Sequence, residues 1–143
     1  MYLLDTNVIS ELRKAKTGKA NPYVVTWASN ILPDELFLSA ISILELELGV
    51  LLIERRDPTQ GKLLRTWLNN QVIANFSKRI LNIDEKVAKC CAQLHVPNPQ
   101  PERDALIAAT ALVHNLTVVT RNVDDFKPTS VITLNPWQEI INQ

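Results

Sequence analysis

The chain has 143 residues, of which 46% are apolar and 21% charged, a balance that supports one buried core and excludes a disordered chain. Its 15 basic and 15 acidic side chains cancel, so no global positive field advertises a nucleic-acid partner, and any such partner must be met by a local patch. With three glycines in all, there is no Walker loop and no dinucleotide fingerprint.

Apolar, β-rich runs recur at Tyr2 to Leu4, Leu36 to Leu38, Ile80 to Ile83, Thr117 to Val119 and Val131 to Leu134. Stretches of helical period fill the gaps, which predicts an α/β fold with parallel strands and crossover helices in a single domain spanning 1–143. Lys14 to Pro22 reads as a loop, whereas Ile41 to Ile53 and Leu63 to Val72 read as apolar helices. A further helix begins at Asp84 as N-cap, with Val87, Ala88, Cys91, Ala92 and Leu94 apolar. After the proline-rich His95 to Pro101 loop, the last long helix starts near Pro101, a residue suited to a first helical turn, and runs to His114. Cys90 and Cys91 are neighbours and cannot bridge distant segments, so they read as core thiols of a reducing cytosol. No signal-peptide pattern and no bilayer-length apolar run is evident, and a soluble cytoplasmic protein is expected.

The acids fall in an informative pattern. Asp5 follows the first strand, Glu45 lies just beyond the second, Asp104 opens a late helix, and Asp124 and Asp125 follow the Thr117 to Thr120 strand. In an open parallel sheet, ligands bind outside the carboxyl ends of the strands, so these acids are expected to converge. Each also has a plainer reading. Asp5 equally suits the N-cap of the next helix, and Ser42-Ile43-Leu44-Glu45 matches a capping box. Asp104 shares a helical stripe with Ala108, Ala111 and Leu112, where an ionised carboxylate needs a partner: a cation, Arg103 or Arg121. Asp124 and Asp125 sit in a turn-like segment and also read as solvated loop acids.

Oxygen-only ligands favour Mg²⁺, with Mn²⁺ possible, over Zn²⁺, and neither His95 nor His114 shows a ligand-spaced partner in the sequence. Mg²⁺ on carboxylates can activate a water for attack on a phosphodiester without a Ser or Cys nucleophile. From Leu12 to Pro33 the chain carries Arg13, Lys14, Lys16 and Lys19 and no acid, a candidate strip for a phosphate backbone. Arg121, directly after a strand, is either a substrate contact or a partner of Asp124 or Asp125.

Four blocks extend this reading: Leu3-Leu4-Asp5-Thr6-Asn7-Val8-Ile9-Ser10, Leu38-Ser39-Ala40-Ile41-Ser42-Ile43-Leu44-Glu45-Leu46, Asp104-Ala105-Leu106-Ile107-Ala108-Ala109-Thr110-Ala111, and Leu116 to Phe126, followed by Asn135-Pro136-Trp137. In this order and spacing the chain resembles the PIN-domain ribonucleases, in particular the VapC-type toxins of type II toxin–antitoxin pairs. The resemblance implies a Rossmann-like PIN fold with a mostly parallel central sheet flanked by helices, Mg²⁺-dependent endoribonuclease activity and neutralisation by a cognate antitoxin protein. It assigns catalysis and metal binding to Asp5, Glu45 and Asp104, and support or substrate contact to Thr6, Asn7, Thr120, Asn122 and Asp124. Asn122 stands where many relatives carry an acid, which bears on a second metal ion and leaves Asp124 as a substitute.

Two other classes remain open on sequence. One is a catalytically weak RNA- or protein-binding module on the same fold, supported by Asn122. The other is a phosphatase with Asp5 as nucleophile, which would want a second acid where Asn7 stands. The apolar surface of the helices at Ile41 to Ile53 and Leu63 to Val72 predicts partner contact or a homodimer there.

Overall fold

The computed structural model describes residues 1–139. Five strands form one sheet: β1 (Tyr2–Leu4), β2 (Leu36–Ser39), β3 (Ile80–Leu81), β4 (Thr117–Val119) and β5 (Thr133–Leu134). Their order is β3-β2-β1-β4-β5, and every neighbouring pair is parallel, with Leu3 opposite Phe37 on one side and Val118 on the other. The helices are α1 (Thr6–Arg13), α2 (Pro22–Ser29), α3 (Ala40–Arg56), α4 (Pro58–Trp67), α5 (Glu85–Leu94), α6 (Glu102–His114) and the short α7 (Val123–Phe126). This is the expected α/β architecture. Among the described residues no helix is long and apolar enough to cross a membrane.

Strand residues alternate between two cores, as the two-residue period of a pleated strand requires. Leu4, Leu38 and Val119 face one side with Val8, Val24, Trp27, Leu46 and Leu68. Leu3 and Val118 face the other with Ile107, Ala108, Ala111 and Phe126. Small residues at Ala105 and Ala109 let α6 pack closely on α5 through Val87 and Cys91. Asp84 caps α5, its Oδ1 accepting from the Val87 amide at 3.0 Å. The Lys14 to Pro22 segment contains one turn of 3₁₀ helix (Lys14–Thr17), ended by Gly18 at φ +72°, a left-handed conformation that glycine adopts without strain. α2, which follows it with Asn21 as cap and Pro22 in the first turn, lacks a strong apolar stripe and did not stand out from the sequence.

α3 and α4 form a tight hairpin. A Cβ on Gly61 would lie 2.5 Å from the Glu54 Cα, so this crossing requires glycine for close approach. Arg65 on α4 clamps the pair by reaching both Glu47 and Glu54 on α3.

The chain moves from β1 to β2 and β3 in one direction and returns to the other side of β1 for β4 and β5. This reversal leaves a crevice at the carboxyl ends of β1 and β4, the topological switch point where open parallel sheets bind ligands.

Candidate functional site

A cleft of about 450 Å³ occupies that switch point, lined by Asp5, Thr6, Asn7, Ser10, Glu11, Lys14, Glu45, Asp104, Arg121, Asn122 and Trp137. β1 delivers Asp5 at its last step, and both readings of this residue hold at once. One oxygen caps α1 by accepting from the Thr6 amide at 2.8 Å, and the other accepts from the buried Thr120 hydroxyl at 2.8 Å. Burial raises the Asp5 carboxyl above its ordinary range. The Thr120 and Thr6 bonds oppose this, while the charges of Glu45 and Asp125 add to it.

Glu45 is not the end of a capping box. α3 begins at Ala40 with Ser39 as its cap, the Ser39 hydroxyl accepting from the Ile41 amide at 3.0 Å. Ser42 therefore lies inside the helix, its hydroxyl buried without a hydrogen-bond partner. Glu45 instead accepts from the Thr6 hydroxyl at 2.8 Å, thirty-nine residues away in sequence, and faces Arg103 at 3.7 Å. Glu47, two positions on, turns away to Arg65.

Asp104 sits in the first turn of α6 and, among the described residues, has no hydrogen bond or ion pair. Arg103 goes to Glu45 and Arg121 lies over the Trp137 ring at 5.5 Å, so neither expected cation neutralises it. Desolvation, reinforced by the charges of Asp5, Asp125 and Glu45, pushes the Asp104 carboxyl from 3.8 to about 6. Carboxylates gathered with so little positive compensation form an oxygen-donor set suited to a hard divalent cation.

Thr120 and Asn7 connect the parts. Besides its bond to Asp5, the Thr120 oxygen accepts from the Asn122 amide at 3.0 Å. The Asn7 side chain spans Asp5, Thr120 and the Arg121 backbone at 3.4–3.5 Å. The structure thus brings Thr6, Asn7, Thr120 and Asn122 together at the cleft. Asp124 stays outside: it is exposed and pairs with Lys127 at 2.7 Å, because the first turn of α7 points it outward. Its neighbour Asp125 is the loop acid whose charge reaches Asp5 and Asp104.

Of the basic strip, only Lys14 lines the cleft, where it pairs with Glu11 at 3.3 Å. Glu11 is committed elsewhere, since the Asn21 backbone amide donates to it at 2.8 Å and holds its carboxyl below the usual range. Arg13 lies over Trp67 on a different surface. The lining residues Ser10 and Glu11 were missed from sequence, although with Asn7 and Lys14 they form a polar stripe at i, i+3, i+4 and i+7.

His95 does acquire neighbours that its sequence context obscured. Cys91 Sγ lies 3.7 Å and a Glu102 carboxylate oxygen 3.6 Å from its Nε2, a trio compact enough to hold a metal ion. The Gln100 amide, however, donates to His95 Nδ1 at 3.0 Å. In neutral histidine this leaves the proton on Nε2, whose hydrogen-bond partner is Cys91 Sγ of α5, with Glu102 of α6 facing it beyond hydrogen-bond length.

Toxin FitB of Neisseria gonorrhoeae is 37% identical to this chain over 97% of it and 100% of FitB. The VapC ribonuclease Y4jK of Sinorhizobium fredii is 32% identical, over 96% of the chain and 99% of the relative. The crystal structure of FitAcB from Neisseria gonorrhoeae superposes with a TM-score of 0.88 at 37% identity, covering 97% of this chain and 100% of that one. The PIN domain model matches residues 2–130, and the chain belongs to the PIN domain family.

Proposed function

We propose that this chain is the toxin of a toxin–antitoxin pair and acts as a Mg²⁺-dependent endoribonuclease, with Asp5, Glu45 and Asp104 holding the ion. The observation that carries the reading is the convergence of these three acids at the switch point, with Asp104 lacking an ion-pair partner among the described residues and raised to about 6 by burial and then by its acidic neighbours. The relatives support the substrate and the setting: one is a named VapC ribonuclease and another a named toxin.

When bound, a divalent cation supplies positive charge to the scissile phosphate and lowers the pKa of water at the site. The chain's own residues prepare that reaction. Thr120 and the Thr6 amide fix the two oxygens of Asp5, so the carboxylate cannot rotate away. The Thr6 hydroxyl sets the rotamer of Glu45, and Arg103 offsets part of its charge. Below about pH 6 a proton competes with the cation for the Asp104 oxygens, whereas near neutrality the carboxylate is largely ionised and open to it. Lys14 and Arg121 place positive charge on the cleft wall where a phosphate backbone must approach four acids.

The antitoxin and a second copy of the chain are the proposed protein partners. Leu44, Leu48, Leu51 and Leu52 are between 39% and 60% exposed. Their i, i+4, i+7, i+8 spacing makes them one apolar stripe along α3, a surface suited to burial in an assembly. The deciding experiment induces the unaltered chain in bacteria beside Asp104→Ala at matched soluble expression and maps new RNA 5′ ends. Growth arrest and discrete ends for the unaltered chain alone establish a carboxylate-dependent ribonuclease. Arrest by both without new ends would favour the binding module to which Asn122 points, and equal growth would refute the toxin reading in that host.

A further inference from the structure

Arg121 is an unusual cation for its position. It borders a cleft crowded with acids, yet no carboxylate of the described residues lies within ion-pair distance. Its guanidinium rests instead over the Trp137 indole, 5.5 Å from the ring centre. The backbone of both residues is tied near a strand end. Arg121 lies two positions past β4, and its backbone amide donates to Asn7 Oδ1 at 3.4 Å. Trp137 follows β5 in a turn held by its own amide donating to Asn135 Oδ1 at 2.9 Å, with Pro136 buried beneath. The adjacent strands are tied at this end by the Thr120 amide donating to the Leu134 carbonyl at 3.0 Å. Trp137 packs partly on the core while still lining the cleft, where it is the sole aromatic residue among those described.

We propose that Arg121 and Trp137 form a nucleotide subsite: the Arg121 guanidinium takes a backbone phosphate next to the scissile one, and the indole takes the base of that nucleotide by stacking. This inference rests on the ribonuclease reading and adds a requirement to it. A base can lie on the indole only if it is free of its own helical stack, so the nucleotide beside the cut must be unpaired. Stacking is tolerant of base identity, because every base has a π-face. Cation and ring are coupled by exchange: the guanidinium that rests on the indole moves to the phosphate when RNA arrives, which frees that ring face for the base.

The test measures binding without cutting. The full chain carrying Asp104→Asn, with metal chelated, is titrated at low salt against a fluorescent single-stranded oligoribonucleotide and against the same strand with one abasic position moved along it. At one position, loss of the base should weaken binding roughly 5- to 100-fold. Adding Trp137→Ala should weaken binding of the intact strand by a similar factor, have little effect on the strand abasic at that position, and be largely rescued by Trp137→Phe. Adding Arg121→Ala should weaken both strands and flatten the log–log salt slope by about 0.7. The proposal is overturned if no abasic position matters, if Trp137→Ala weakens intact and abasic strands equally, or if neither strand binds. RNA cleavage by the unaltered chain, assayed alongside, separates the two readings. Cleavage with no Trp137 dependence sinks only the subsite, whereas Trp137-dependent binding without cleavage sustains the subsite and sinks the nuclease.

Discussion

Replacing Asp104 by Asn should make the metal-free protein more stable, although it removes a residue on which activity is proposed to depend. Ionising Asp104 in the folded chain is opposed by burial and by Asp5, Asp125 and Glu45, which move its carboxyl from 3.8 to about 6. At 1.36 kcal/mol per pH unit, that difference corresponds to at most about 3 kcal/mol of destabilisation above neutrality. Asp104 is only partly buried, and solvent screening reduces the figure to roughly 1–2 kcal/mol. The sign follows from linkage. Because the folded-state value lies above the unfolded one, the folded chain binds the extra proton between about pH 4 and 6, and stability falls as pH rises through that window. Asp104→Asn has no charge to bury, so its advantage should be complete above about pH 7, shrink below 6 and be nearly gone at 4. For a chain of this length, 1–2 kcal/mol is a Tm increase of roughly 3–8 °C. Differential scanning fluorimetry in chelator across this pH range measures it. A pH-independent change, or a lower Tm at pH 7.5, would refute the electrostatic account of the site.

Four further outcomes follow from the same structure. Mg²⁺ should raise the Tm of the unaltered chain more at pH 7.5 than at pH 5, because the ion must displace a proton from Asp104, and should do little for Asp104→Asn; isothermal titration at the two pH values checks the affinity directly. Thr120→Val leaves the buried Asp5 Oδ2 with only the 3.5 Å contact from Asn7, so urea denaturation should show a loss of about 1–3 kcal/mol. Gly61→Ala drives a Cβ against the Glu54 backbone and should destabilise by about 1–3 kcal/mol despite alanine's better helix propensity, whereas Leu48→Glu, on the exposed stripe of α3, should leave the monomer's fold intact and shift its elution if that stripe is an interface.

Much of the architecture was legible from the residues. β1 and β4 have the bounds that their apolar runs suggested, and Asp84 caps α5 as its position before Val87 predicted. Parallel strands announce themselves because both faces are covered and the runs are nearly all apolar. The acids were legible because strand ends are fixed points of such a fold. What the sequence concealed are contacts made across it. The Thr6 hydroxyl selects Glu45 over the neighbouring Glu47, and that choice depends on how α1 and α3 cross. The first turn of α7 separates Asp124 from Asp125, a rotation of one residue that no local pattern sets. Arg121 had two acids within four positions and took an indole from the turn after β5 instead.

Asp5 and Thr120 are separated by 115 positions, and the central strand of the sheet acquires its β4 neighbour only late in the chain. During synthesis, then, the first acid leaves the ribosome well before the helix that carries Asp104 and the hydroxyl that fixes Asp5. Until Thr120 has emerged the nascent chain has no assembled site, so the RNA of its own polysome meets no formed cleft over that interval. Premature termination anywhere before Thr120 should therefore yield a harmless fragment.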